Sequence, residues 1–399
     1  MTQLVTRSYN SKLALKYGCN PHQIPAGVYA LAGKELPFRV LNGTPGYINL
    51  LDALNAWQLV RELRSALNLP AAASFKHVSP AGAAVATPLN AVLAEVYGVD
   101  PSSLSPQALA YVRARGADPK SSFGDFAAFS DPIDERCAEL LRTEVSDGLI
   151  APGFEGRALD ILKAKKGGGF IVLEADPGYR PPVDEFKEVF GVGFSQRRND
   201  TLLTSAHLEK RVTARKDLPP DAARDLLLAA ITVKYTQSNS VGYALDGQMI
   251  GVGAGQQSRV DCTRLAGRKA EVWFLRQHPR VRQLQFRPDV KRVDRTNARV
   301  RMVEGDFTPP EYAAWSALFE KVPEPLSLEE QAQWVSALKG VSLASDAFFP
   351  FRDNIDQAAR RGVSYILQPG GSVADQGVID ACNEYGMTMA FSGVRLFHH

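Results

Sequence analysis

Apolar residues at Leu54, Trp57, Leu59, Leu63 and Leu67 follow Leu50-Leu51 at helical spacing. The stripe predicts a helix capped by Asn49, with Asp52 in its first turn and Pro70 as its stop. The run Ala72 to Val78 then loses that period and predicts a short buried strand. The plan returns further on, where Asp221 caps a predicted helix over Ala222 to Ala230 leading into a strand over Ile231 to Tyr235. Helices alternating with short buried strands predict a layered α/β sheet.

Short matches recur along the chain. Ser74-Phe75-Lys76-His77-Val78-Ser79 lines up with Thr232-Val233-Lys234-Tyr235-Thr236-Gln237, 158 residues on. Phe129-Ser130-Asp131-Pro132-Ile133-Asp134 lines up with Phe351-Arg352-Asp353-Asn354-Ile355-Asp356 at a spacing of 222, and Ala151-Pro152-Gly153 with Gln368-Pro369-Gly370 at 217. Their common order predicts two copies of one unit. The spacings 158 and 222 differ by 64 residues, the size of an insertion in the second copy. Two copies make a duplication rather than a repeat array. The expected division is a first unit over 1–200, a second over 201–272 and 340–399, and an insert over 273–339.

The insert has its own character. Basic residues crowd from Arg276 to Arg301, opposed mainly by Asp289 and Asp294. Two capping boxes follow, Thr308 with Glu311 and Ser327 with Glu330, so a small helical insert is predicted. Phe286 alone interleaves with the arginines as a stacking residue, which argues against a nucleic-acid surface. The whole chain agrees: a net charge of +3 over 399 residues is too small for a nucleic-acid partner and suits an anionic small molecule.

With 45% apolar and 22% charged residues, the chain has the composition of an ordinary globular protein. Cys19, Cys137, Cys262 and Cys382 lie far apart with no CxxC pair, so neither a zinc site nor a disulfide framework is expected. No apolar segment follows Met1 as a leader would require, and the run Leu226 to Val233 is too short to span a membrane. A cytoplasmic protein without a membrane partner is the expectation.

Candidate chemistry begins at Lys76-His77, where an apolar segment breaks into Val78-Ser79-Pro80-Ala81-Gly82. The imidazole titrates near neutrality, and a neighbouring ammonium stabilises a developing anion or delivers a proton. A Lys-His pair alone is more often a solvated turn than a catalytic pair. Gly251-Val252-Gly253-Ala254-Gly255-Gln256 lacks the last glycine of a dinucleotide fingerprint and suits a tight strand-to-helix turn. The H-x-E…P-C-x-x-C signature of zinc deaminases is missing, and His207 and His278 have no neighbours at metal-ligand spacing.

Longer runs carry a resemblance: Lys16-Tyr17-Gly18-Cys19-Asn20-Pro21-His22-Gln23, Phe75 to Gly82, Ser121-Ser122-Phe123-Gly124-Asp125-Phe126, Tyr235 to Ser240, Gly255-Gln256-Gln257-Ser258-Arg259, Ser345 to Asn354, and the ending Arg395-Leu396-Phe397-His398-His399. Together they resemble AICAR transformylase (phosphoribosylaminoimidazolecarboxamide formyltransferase), the transformylase half of a bifunctional purine enzyme. The resemblance covers residues 15 to 399. It implies two cytidine-deaminase-like α/β units, the second interrupted by a helical insert, used without zinc. It further implies formyl transfer from 10-formyltetrahydrofolate to the 5-amino group of AICAR by a homodimer with sites near its interface. A monovalent cation is left open. The chain begins about fifteen residues before the first matching run, so no IMP cyclohydrolase domain and no ring closure are expected.

The same resemblance implies roles for single residues. Lys76, His77 and Asn239 fall at catalytic positions: His77 as base for the amine, Lys76 and Asn239 as donors to the oxyanion and the leaving nitrogen. Lys76-His77 and Asn239 are expected to follow matching strands whose ends pack together. AICAR contacts fall on Lys16, Tyr17, Gly153, Asp176, Arg259, Phe348 and Arg395, and folate contacts on Val260, Pro350, Phe351, Asp353, Asn354 and Ser372. Lys16 stands where the family usually has arginine, which keeps the charge without the planar fork. Cys19 also departs from the family pattern. The competing readings are a non-catalytic nucleotide- or folate-binding regulator and a zinc nucleoside deaminase.

Overall fold

Strands as apolar as Ala71–Lys76 and Asp125–Phe129 are buried on both sides, so the sheet that holds them must be covered on both faces. The computed structural model, which describes residues 4–399, builds that arrangement around a mixed sheet of eleven strands. The chain opens with β1 (Tyr9–Leu15) and β2 (Ala26–Leu31), an antiparallel pair outside the main sheet, and enters that sheet at β3 (Phe38–Asn42). The first half then runs α1 (Tyr47–Leu67), a hairpin of β4 (Ala71–Lys76) and β5 (Ser79–Val85), α2 (Ala91–Tyr97), α3 (Pro106–Ala117), β6 (Asp125–Phe129), α4 (Glu135–Thr143), β7 (Ser146–Ala151), α5 (Ala158–Ala164) and β8 (Ile171–Ala175). An exposed two-stranded arm, β9 (Asp184–Val189) and β10 (Val192–Arg197), separates it from the second half.

That half runs α6 (Pro220–Lys234), a hairpin of β11 (Val241–Leu245) and β12 (Gln248–Gly253), and α7 (Arg259–Leu275). Four short helices follow: α8 (Pro279–Arg282), α9 (Arg292–Glu304), α10 (Pro309–Ser316) and α11 (Leu328–Val335). The sheet resumes with β13 (Val341–Ser345), α12 (Asp353–Ala359), β14 (Val363–Gln368), α13 (Asp375–Glu384) and β15 (Thr388–Phe391). The strand order is β15-β14-β13-β11-β12-β5-β4-β6-β7-β8-β3. In each half the hairpin pairs antiparallel with the next strand, and two parallel strands follow. α1 and α6 cover one face, while α3, α4, α5, α7, α12 and α13 cover the other.

Glycine lets a helix approach in each half. A Cβ at Gly82 of β5 would stand 2.1 Å from the Ala114 carbonyl oxygen of α3, and one at Gly251 of β12 would stand 2.1 Å from that of Ala266 in α7. Gly251 and Gly253 of the glycine-rich run therefore serve strand-to-helix packing.

The local expectations fare unequally. Asn49 is not the cap of α1; the helix starts at Tyr47, and Asn49 reaches back to accept from the Gly46 N–H at 3.0 Å. β4 stops at Lys76 because His77 and Val78 turn the chain. Ile231–Tyr235 is not a strand. α6 runs unbroken from Pro220 to Lys234, with Pro219 rather than Asp221 at its cap. Burial on every side from Leu226 to Lys234 had erased its helical period, and length alone separates such a helix from a strand. The match at 158 thus sets a strand end against a helix end, and the match at 222 sets Phe129, which ends β6, against Phe351, well beyond β13. The match at 217 falls at corresponding points, the ends of β7 and β14.

In the insert both capping boxes form, and Trp315, Phe319, Met302 and Val281 make a small core. Several of its arginines meet acids: Arg280 pairs with Glu330, Arg282 with Glu95, Arg292 with Glu144 and Arg301 with Asp306. Phe286 stacks on Phe319 at 4.9 Å.

The two halves join where β5 meets β12 at Gln248 and Ala84. Arg113, with its side chain sealed from solvent, donates there to the carbonyls of Thr87, Pro88 and Asp246 and to Gln248. Asp225 accepts from the backbone N–H groups of Asp246 and Gly247 at 2.7 and 2.8 Å. Arg113→Leu would leave several buried acceptors without a donor and should lower unfolding stability by about 3 kcal/mol, read from urea denaturation.

Candidate functional site

β4 and β5 are joined by two residues only, His77 and Val78, between the paired Lys76 and Ser79. Both have positive φ, 52° and 61°, as a two-residue hairpin turn of type I′ requires. Asn-Gly is the usual occupant; histidine tolerates this region better than most residues, but the β-branched valine sits there against its preference. Asp52 of α1 supports the turn from below, its Oδ1 accepting from the Val78 N–H at 2.6 Å. Lys76 Nζ donates to the Gly124 carbonyl at 2.8 Å, while His77 stands exposed. Asp52 is 5% exposed. Burial pushes its carboxyl up to about 6, against the opposing pull of the Val78 N–H and of the charges on His77 and Lys76.

On the same edge of the sheet, just before β11, lies a second group. The Asn239 Oδ1 accepts from Arg259 Nη2 at 2.7 Å and its Nδ2 donates to the Gln257 carbonyl at 3.0 Å, leaving one amide N–H for a ligand. Arg259 opens α7, is buried, and pairs with fully buried Asp346. Asp346 also accepts from the Ser238 hydroxyl at 2.6 Å and the Ser240 N–H at 3.0 Å. Phe348, Pro350 and Phe351 leave this knot toward solvent, whereas Phe349 turns inward and donates its N–H to Gln368.

Antiparallel pairing at the β5–β12 junction decides which residues share an edge. The end of β4 and the starts of β6 and β7 lie with the start of β11 and the ends of β13, β14 and β15. Lys76, His77, Asn239, Arg259, Phe348, Pro350, Phe351, Asp353, Ser372 and Arg395 therefore belong to one edge. β4 and β11 are three strand spacings apart, about 14 Å. Asn239 precedes its strand rather than following it, contrary to the matched-strand expectation; the opposite strand direction still brings it to the His77 edge. Gly153 and Asp176 follow β7 and β8 and lie on the other edge, beside a cleft of about 650 Å³ lined by Lys12, Arg39, Pro152, Glu174 and Asp176. Lys16 and Tyr17 follow β1, the strand that contributes Lys12 to this cleft. One chain thus does not gather every residue expected to contact AICAR.

Several expected contacts have local partners. Arg259 is held by four groups of the knot, and the buried Asn354 side chain accepts from the Thr263 hydroxyl at 3.0 Å. Ser372 Oγ accepts from the Ala374 N–H at 3.1 Å, before α13. Val260 follows Arg259 in α7, and Asp353 opens α12. Arg395 is exposed and lies over the Phe397 ring. Lys234-Tyr235, matched in sequence to Lys76-His77, instead ties α6 to α1: Lys234 Nζ lies 2.6 Å from Glu62 in a buried pair, and the part-buried Tyr235 hydroxyl donates to the same oxygen at 2.8 Å. Asp52 and Asp346 had no assigned role in the sequence. Their signal was position, since Asp52 falls seven residues before Leu59 on the apolar stripe and Asp346 abuts a fully buried strand.

Comparison with known proteins agrees over most of the chain. Residues 1–269 match a family described as AICARFT/IMPCHase bienzyme. Over 397 residues the chain is similar to the bifunctional purine biosynthesis protein PurH of Caulobacter vibrioides, at 30% identity, covering 96% of this chain and 58% of that protein. The PurH protein of Aquifex aeolicus is 31% identical over 397 residues, 96% of this chain and 59% of its own length. The chain therefore spans under two thirds of the curated relatives it matches.

Two stability tests follow from the buried charges. Asp346→Ala would strand the Arg259 guanidinium and should cost about 3–5 kcal/mol, measured by chemical denaturation. The Asp52 carboxyl is raised from 3.8 to about 6, so its contribution favours folding below pH 4 and is lost as pH rises through 6. Asp52→Asn should accordingly gain on the order of 2 kcal/mol over the parent at pH 7.5. The gain should vanish near pH 4 in paired thermal melts.

Proposed function

Because this chain belongs to the AICARFT/IMPCHase bienzyme family, we propose that it transfers the formyl group of 10-formyltetrahydrofolate to the 5-amino group of AICAR, giving FAICAR and tetrahydrofolate in purine biosynthesis. The observation that carries the reading is the edge shared by the Lys76-His77 turn and the Asn239 amide. The amine of AICAR is a weak nucleophile, since its lone pair is delocalised into a ring bearing a carboxamide. Its nitrogen attacks the formyl carbon and His77 takes the proton it loses. Lys76 and the remaining Asn239 N–H stabilise the oxyanion of the tetrahedral intermediate. Cleavage of the bond between that carbon and folate N10 then releases tetrahydrofolate, with N10 taking a proton from the Lys76 ammonium, which the proton held by His77 replaces.

Pro350 and the exposed Phe351 suit a pterin wall, and Arg395 and Lys16 suit a phosphate. A homodimer is part of the proposal: a partner copy would set its Lys16–Tyr17, Gly153 and Asp176 edge against the His77 edge. The common element order of the two halves supports reading them as cytidine-deaminase-like units around a helical insert. Formylation without ring closure is the expected outcome, since every residue on which the reading rests serves the first step.

Purified protein given AICAR and 10-formyltetrahydrofolate should form FAICAR, followed by chromatography, with no onward conversion to inosinate. His77→Ala should cut kcat about 10²-fold with the fold intact by circular dichroism. AICAR binding without turnover in the parent would favour a regulator instead, and a His77→Ala variant at parental rate would remove the imidazole from the reaction.

A further inference from the structure

The turn that presents His77 has two non-glycine residues at positive φ. A two-residue turn with both φ positive is an easy conformation for Asn-Gly, whereas non-glycine residues held in strained backbone cost about 1–3 kcal/mol each. Val78, at φ 61°, is the worse case because its branched Cβ crowds the backbone. The compensating contact comes from elsewhere in the chain. Asp52 stands on α1, a helix of 21 residues packed against β4, and accepts from the Val78 N–H at 2.6 Å.

That carboxylate is costly where it lies. It is nearly sealed from solvent, and among the described residues no cation comes within ion-pair distance of it. The charged groups facing it are Lys76 and His77 on the hairpin and Asp147 at the start of β7, which Lys166 engages at 2.7 Å. Lys76 is itself directed to the Gly124 carbonyl. An apolar side chain in that position of α1 would pack against β4 without the cost of desolvation, but would leave the Val78 N–H without its acceptor.

We infer that Asp52 is a positioning residue, whose carboxylate pins the strained His77-Val78 turn through the Val78 N–H and thereby fixes where the His77 imidazole stands. The inference rests on the formyl-transfer reading for its kinetic consequence, but its structural part is independent. Misplacing a catalytic group by about 1 Å costs up to about 10²-fold in rate. The effect should therefore fall on turnover rather than on binding.

The test compares Asp52→Ala with Asp52→Asn in the full chain. Asp52→Ala should lower kcat by about 10- to 100-fold while KM for AICAR stays within about threefold. Asp52→Asn keeps an oxygen that accepts from Val78 and should return kcat to within about fivefold of the parent. In a His77→Ala background, Asp52→Ala should bring little further loss, because the group it positions is already gone. Amide hydrogen exchange at Val78, read by mass spectrometry, should accelerate in the alanine variant and stay protected in the asparagine variant. Parental kcat in a folded Asp52→Ala, a full additional loss on His77→Ala, or unchanged Val78 protection in the alanine variant would each overturn the inference. If the parent transfers no formyl group, the functional reading fails, and the exchange comparison still decides whether Asp52 holds the turn.

Discussion

One guanidinium holds the sheet together. Arg113 lies fully buried where β5 and β12 meet, and it binds carbonyls from the end of the first hairpin and from the turn of the second. Asp225 grips that second turn from the opposite charge. Without this clamp the junction would rest on one short stretch of strand pairing around Gln248 and Ala84. With it, two five-stranded halves plus the flanking β3 behave as one surface, and the antiparallel sense of the junction brings the His77 turn and Asn239 to the same edge. The chemistry proposed for the protein depends on a contact far from where it would occur.

The two parts of that edge are ordered by different means. Around Asn239, order comes from electrostatics in a dry setting: Arg259 and Asp346 neutralise each other, and both make further hydrogen bonds to the segment Ser238–Ser240. A donor fixed before the reaction loses nothing to reorganisation when charge develops. Around His77, order comes from a distorted turn braced by α1. The first arrangement is stiff because its charges are paired and buried. The second is stiff because a helix stands beneath it.

The sequence announced the apolar stripe of α1, the helical insert and the chemistry-bearing runs, since these depend on neighbours within a few residues. It hid α6, whose last turns are buried on all sides and so lose the contrast between faces that marks a helix. It also misled at Lys234-Tyr235, where likeness to Lys76-His77 concealed a buried tie to Glu62. Asp52 and Asp346 could not be assigned because their partners are backbone groups and an arginine distant along the chain. The division of the expected contacts between two edges was also invisible, since strand direction at the β5–β12 junction is a tertiary fact.

The opposed strand directions of the two halves carry a genetic consequence. Parallel strands of the first half end on one edge and those of the second half on the other, so Gly153 and Asp176 face away from His77 within a single chain. In a pair of copies whose sites are completed across their contact, damage to one edge in one copy and to the opposite edge in the other would spoil the same composite site. The remaining site would be assembled wholly from sound parts. Two alleles that are each inactive alone would then restore growth when expressed together, while two alleles injured on the same edge would not.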